Sequence, residues 1–244
     1  MHPNEKVDTP ARRNNTKPNL VVLTGAGISA ESGIPTFRDA NGLWEGHDVM
    51  QVASPQGWKE NPGLVLEFYN QRRKLALNAK PNQGHFTLVE LERYFDITVI
   101  TQNVDNLHEK AGSSKIIHLH GELFKSRSTI DRELVYEMTS WKLDLGDLCD
   151  KGSQLRPHIV WFGEEVPMMD KAISVSRKAD LFIVVGTSLA VYPAAGLINF
   201  VQPKVPKYII DPNMPEIGTY LNLHLIHKIG SEGLKEVKRL LLQT

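Results

Sequence analysis

Short runs of β-branched and aliphatic residues alternate along this chain with longer stretches in which apolar positions recur at helical spacing. Residues 20–23, 97–101, 115–119, 181–185, 208–210 and 224–229 predict strands, and residues 61–78, 83–95, 165–178, 194–201 and 232–242 predict helices. The strand candidates are apolar throughout rather than alternating, the pattern of strands covered on both faces. Such strands separated by helices imply an α/β fold built on a doubly wound, Rossmann-like parallel sheet. Two stretches break the alternation and read as insertions forming a second, smaller module. Residues 40–79 separate the first two strands by more than an ordinary crossover. Residues 122–155 mix charge and turn signals with Leu134, Val135, Tyr136, Met138, Trp141, Leu143, Leu145 and Leu148.

Composition narrows the class. A chain of 244 residues, 41% apolar and 23% charged, can bury one large core with a small satellite. Zero formal net charge removes the electrostatic case for nucleic acid or an anionic membrane as the main partner. No run approaches the roughly 20 apolar residues of a membrane span. Residues 1–19 are polar, contain Pro3, Pro10 and Pro18, and lack a signal-peptide core; they predict a disordered tail ahead of a domain over residues 20–244. Cys149 is the single cysteine, so neither an intrachain disulfide nor a thiolate zinc site can be assembled. A cytoplasmic protein is expected. Nothing in the sequence sets an oligomeric state, and a monomer is the default.

The first strand runs into Gly25-Ala26-Gly27-Ile28-Ser29-Ala30, a dinucleotide-binding turn in the strand-to-helix context that motif requires. Gly25 would permit the tight turn and Gly27 would let backbone N–H groups approach a pyrophosphate, with a helix N-terminus behind them. The same turn also occurs with no ligand. Residues 31–39 supply no second strand ending in an acid for the adenosine ribose, which argues against hydride transfer. Gly33 and Pro35 instead stop the helix and leave a loop carrying Phe37, Arg38 and Asp39 over the phosphate site.

Gln102, Asn103 and Asp105 follow the end of the second strand, where ligands of open α/β sheets collect. Asn103 and Asp105 would serve equally well as caps of a helix beginning at Val104. His120, at a strand end beside Gly121, is the candidate general base, since neutral imidazole titrates near physiological pH. His118 would share its strand face, so a pair of metal ligands is the alternative reading.

Five blocks, in one order, resemble the sirtuin family: GAGISAESGIPTFRD (residues 25–39), TQNVDNLH (101–108), HLHG (118–121), RPHIVWFGE (156–164) and VGTS (185–188). The resemblance runs from Leu20 to the C-terminus. It implies an NAD-dependent protein deacylase in which nicotinamide is displaced from NAD by the carbonyl oxygen of an acylated lysine. His120 would then deprotonate a ribose hydroxyl, and the products would be free lysine, nicotinamide and O-acyl-ADP-ribose. The implied cofactor contacts are Gly25, Ala26, Gly27, Ala30, Phe37, Arg38, Asp39, Gln102, Asn103, Asp105, Gly186, Thr187, Ser188, Asp211, Asn213 and Gly230. Among them Asn103 and Asp105 would line the nicotinamide pocket. The Asp211-Pro212-Asn213 loop departs from the Asn-x-Glu usual in the family. Val160 and Phe162 fall where an acyl-lysine peptide adds as a strand, and would line the channel for the lysine stem; an ordinary core strand is the alternative. An ADP-ribosyltransferase or NAD hydrolase could use the same pocket. A non-catalytic NAD sensor or acyl-lysine reader would have no need of Asn103, Asp105 and His120 together.

Two departures are specific to this chain. Sirtuins commonly hold their small module with four cysteines around zinc, whereas here only Cys149 lies between His120 and His158, with Ser126 and Ser128 near the place of the first pair. No structural zinc is expected. Tyr136, Met138, Trp141, Leu143, Leu145 and Leu148 would pack a small apolar core in its place, with Asp144, Asp147 and Asp150 on a solvated helix face. In the helix opened by Asn61 and Pro62, Tyr69 and Arg72 are spaced i, i+3 and can converge on one carboxylate. With Ala53 they match the small residue and Tyr-x-x-Arg of sirtuins that accept succinyl- and malonyl-lysine. The alternative is a core Tyr69 and an Arg72 paired with Glu67 or Glu60.

Overall fold

The computed structural model describes residues 16–36, 43–44 and 46–243. Most of the expected tail (residues 1–15) and Phe37, Arg38 and Asp39 lie outside the described residues. In chain order the elements are β1 (Asn19–Thr24), α1 (Gly27–Ala30), β2 (Leu43–Trp44), β3 (His47–Asp48), α2 (Val49–Val52), α3 (Pro55–Glu60), α4 (Pro62–Asn78), α5 (Gln83–Leu91), β4 (Asp96–Thr101), α6 (Leu107–Ala111), β5 (Ile116–His118), β6 (Gly121–Ser128), β7 (Val135–Glu137), β8 (Leu155–Ile159), α7 (Met169–Arg177), β9 (Leu181–Val185), a 3-10 helix (Ala194–Phe200), β10 (Lys207–Ile210), β11 (Leu223–Ile226) and α8 (Gly230–Leu242).

All six expected strands form one parallel sheet in the order β11-β10-β9-β1-β4-β5. The apolar strand pattern has the predicted cause. Leu20 and Val22 face a core shared with Leu88 and Leu91 of α5 and Leu234 and Val237 of α8. Val21 and Leu23 face the opposite core, with Ala172 of α7 and Leu197 and Ile198 of the 3-10 helix. Because side chains alternate along a strand, covering both faces leaves no polar position. The chain moves from β1 to β4 and β5, then returns to place β9 on the other side of β1. Strand order therefore reverses between β1 and β9, and the loops leaving their C-terminal ends diverge there into a crevice.

The smaller module is an antiparallel sheet in the order β7-β6-β8. A third core, including Val65, Phe68, Tyr69 and Ala76 of α4 with Leu123, Ile159 and Trp161, packs this module against α4 and Leu107 of α6. The apolar core expected within residues 136–148 is not what holds the module. Leu145 and Leu148 are 60% and 57% exposed, and of the six residues only Leu143 is buried. Polar ties replace it. Asn70 exchanges two hydrogen bonds with the Leu143 backbone, at 2.9 and 3.1 Å, and Arg73 Nε donates to Trp141 O at 2.6 Å. Cys149 Sγ donates to Ser128 Oγ at 3.2 Å, which ties the segment around Cys149 to the end of β6. One thiol and neutral hydroxyls do not make a zinc donor set, and among the described residues no three His, Cys, Asp or Glu side chains converge.

Other boundaries shift. The helices expected over 83–95 and 165–178 shorten to α5 and α7, and the one over 194–201 is 3-10. The helix expected from Val104 begins at Leu107. The segment bearing Asp144, Asp147 and Asp150 forms turns rather than a helix, with Asp147 Oδ2 accepting from Asp144 N at 2.7 Å. Among the described residues no helix is long and apolar enough to cross a membrane.

Candidate active site

The crevice is a cavity of about 450 Å³, within the range of small-molecule sites. Every site residue expected from the sequence and described here lines it: the β1–α1 turn, Gln102, Asn103, Asp105, His120, the 186–188 loop, Asp211, Asn213 and Gly230, and at the far end Ala53, Tyr69, Arg72, Val160 and Phe162.

The glycine-turn end of the cavity is built by two backbones in contact. A Cβ on Gly27 would lie 2.6 Å from Gly186 Cα, and one on Gly186, at φ +63°, would lie 2.5 Å from Ile28 N. Only glycine fits either position. The amides of Gly25 and Gly27 already donate to Val185 O (3.0 Å) and Gly186 O (2.8 Å). The missing Cβ of Gly27 admits the loop after β9, and its N–H is spent on that loop.

Ser29, which sequence reasoning passed over inside the glycine-rich block, is the junction of Asn103 and Asp105 in this cavity. Its hydroxyl donates to Asp105 Oδ2 (3.0 Å) and accepts from Asn103 Nδ2 (3.1 Å), which also donates to Gly25 O (3.1 Å). Asp105 Oδ1 accepts from Leu107 N at 3.0 Å, just ahead of Asn106, the N-cap of α6, and the residue also lines the cavity. Burial pushes its pKa up, against the pull of the Leu107 amide and the Ser29 hydroxyl. A buried Thr24–Thr101 hydroxyl bond of 2.9 Å ties the ends of β1 and β4 beneath.

His120 Nδ1 lies 3.1 Å from Gln102 O. A carbonyl only accepts, so Nδ1 carries the proton and Nε2 keeps its lone pair. Burial lowers the His120 pKa, only partly offset by that carbonyl, which favours the neutral ring. His118 lies outside this arrangement. Its Nε2 pairs with Glu109 at 2.5 Å and its Nδ1 with Asn103 O at 3.3 Å, and although burial opposes its charge the Glu109 carboxylate raises its pKa. The two rings have separate partners and no shared focus, which removes the metal-pair reading.

At the far end the Arg72 guanidinium lies over the Trp44 ring, 4.2 Å from its centroid, a cation–π contact. Glu67 accepts from Gln71, and Glu60 from Gln56. Tyr69 is fully buried and its oxygen accepts from Trp161 Nε1 at 3.1 Å. Residues 160–163 leave strand geometry after Ile159 and are pinned by Val160 N to His120 O and Phe162 N to Ala53 O, both 2.9 Å. Glu164, also missed from sequence, closes this segment. It accepts from Arg127 (3.0 and 3.1 Å), Arg156 (2.7 and 3.1 Å) and Trp161 N (2.9 Å). The Arg156 guanidinium in turn stacks 3.3 Å from the Trp161 ring centroid.

The model of the Sir2 family matches residues 25–193. An NAD-dependent protein deacylase of Bacteroides thetaiotaomicron is 53% identical over 229 residues, covering 92% of this chain and 98% of that protein. One of Helicobacter pylori is 52% identical over 227 residues, covering 92% and 98%. Among solved structures, a Sir2 homolog–NAD complex superposes with a TM-score of 0.84 at 40% identity, covering 93% of this chain and 90% of that one. A Sir2 bound to deacetylated p53 peptide and 3'-O-acetyl ADP ribose gives 0.76 at 32%, covering 92% and 94%.

Proposed function

This chain belongs to the Sir2 family and is an NAD-dependent deacylase, and on that premise we propose that it acts on acyl-lysine in proteins and takes acidic acyl groups, succinyl and malonyl, as well as acetyl. The observation that carries the reading is the order of groups along one cavity: the glycine turn and Asn103–Ser29–Asp105 junction at one end, His120 between, and Tyr69 with Arg72 at the other.

NAD, when bound, supplies a ribose carbon from which nicotinamide departs. The chain's own groups do the rest. Asn103 and Asp105, fixed by Ser29, shape the nicotinamide end. Gln102, whose amide donates to Thr187 Oγ1 at 3.1 Å, joins the two loops on the ribose side. His120 takes a proton from a ribose hydroxyl at Nε2, a role its lowered pKa suits because no bound proton must first be shed. Val160 and Phe162 flank the lysine stem. Arg72 offers a fixed, water-shielded guanidinium to the carboxylate of the acyl chain.

Arg72→Met keeps the length of the side chain and removes the charge. On matched peptides it is expected to lower kcat/KM for succinyl-lysine by the worth of a charged hydrogen bond, about 1.5–3 kcal/mol or roughly 10- to 150-fold, with a smaller loss on acetyl-lysine. An equal loss on both substrates would make Arg72 structural and sink the acidic-acyl assignment.

A further inference from the structure

The Tyr69–Trp161 contact fixes the direction of a hydrogen bond inside the acyl pocket. An indole N–H can only donate, so at 3.1 Å the Tyr69 oxygen must be the acceptor. Its own proton has no acceptor among the described residues, and Tyr69 lines the cavity. The hydroxyl is therefore left with its proton to give, and is made a stronger donor by the bond it already accepts. Burial raises the Tyr69 pKa to about 12, so this proton is retained throughout the working pH range.

Trp161 is itself held on three sides. Its backbone N–H donates to Glu164 Oε2, its ring lies under the Arg156 guanidinium, and the residue is only 2% exposed. Arg127 and Arg156 are direct partners across the β6–β8 ladder, where two like charges would repel. Glu164 between them turns that repulsion into a clamp, and the clamp keeps the indole aimed at Tyr69.

We propose that Trp161 is a specificity-determining residue: by occupying the acceptor side of the Tyr69 hydroxyl, it makes the acyl pocket select chains that end in a hydrogen-bond acceptor without a donor. The inference rests on the acidic-acyl reading above and refines it, since Arg72 selects for charge and the Trp161–Tyr69 pair for hydrogen-bond polarity.

The test compares one peptide carrying succinyl-lysine with the same peptide carrying the terminal primary amide of that chain, which has the same length but can also donate. Acetyl-lysine peptide monitors general damage. The ratio of kcat/KM for succinyl over amide is measured in wild type, Trp161→Phe, Tyr69→Phe and the double variant. Trp161→Phe is expected to lower the ratio at least threefold, because the freed hydroxyl can rotate to accept, and adding Tyr69→Phe should lower it less than twofold further. If Trp161→Phe does not fold, 3-benzothienylalanine at position 161 keeps the shape and removes only the N–H. An unchanged ratio, equal losses on all three substrates, or independent effects of the two substitutions would overturn the proposal. A wild-type enzyme that fails to cleave succinyl-lysine would sink the acidic-acyl reading, and this inference with it. One that cleaves it with an indifferent ratio sinks the Trp161 role alone.

Discussion

His85 is completely buried against His108, with ring centroids 4.9 Å apart, and its Nδ1 accepts from Asn82 N at 3.3 Å in the capping box that starts α5. Burial lowers its pKa from 6.5 to about 4, with the Glu31 carboxylate offsetting only part of the penalty. The native state therefore excludes a proton that the unfolded chain binds. Unfolding free energy should rise with pH across this interval, so the contribution is intact above pH 6.5 and is lost as pH falls towards 4. With 1.36 kcal/mol per unit, the loss reaches about 2 kcal/mol at pH 5 and approaches roughly 3 kcal/mol at the folded pKa, a large share of the 5–15 kcal/mol stability common for domains. His85→Gln isolates the effect, because glutamine at this position of a capping box can still accept from Asn82 N and does not titrate. Urea unfolding of both proteins from pH 7.5 to 5 should give curves that diverge by about 2 kcal/mol at the acid end, with wild type the more acid-sensitive; carboxylates common to both cancel. Parallel curves would show that His85 is protonated in the folded protein, and the burial argument would be wrong.

His120→Ala should retain NAD binding by calorimetry and slow deacylation at least ~100-fold, the scale of a lost general base; undiminished turnover would end the mechanism. In wild type the acid limb of kcat/KM should fall below the ordinary imidazole value of 6.5, in the direction burial gives His120, and a limb above 6.5 would contradict it. Glu164→Ala strips the counter-charge from two guanidinium groups whose side chains are each 9% exposed, and should cost about 3–5 kcal/mol in denaturant unfolding; a loss under ~1 kcal/mol would show that the clamp does not hold the module. The protein should melt at the same temperature with and without a chelator and carry no stoichiometric zinc by elemental analysis.

What the sequence determined by itself is whatever leaves a local trace. Residues 20–23 and 181–185, apolar at every position, announced a sheet covered on both faces, and all six expected strands formed, because burial on alternate faces is a property of each strand alone. The glycine turn, Asn103, Asp105 and His120 were legible because each sits at a strand end, where ligands of such sheets collect, and the family resemblance supplied their roles and drew Ala53, Tyr69 and Arg72 into one site. The tertiary structure decided which groups those residues lean on. Ser29 meets Asp105 from 76 positions away, and Trp161 meets Tyr69 from 92; no periodicity records such partners. The small module shows the same limit most plainly. A run of apolar residues suggested an apolar core, yet Leu145 and Leu148 face outward, and the stretch is too short and turn-rich to enclose a dry interior. The buried partners of Asn70, Arg73 and Glu164 hold it instead, and a polar side chain reveals itself as structural only once the fold has brought its partner within hydrogen-bonding distance.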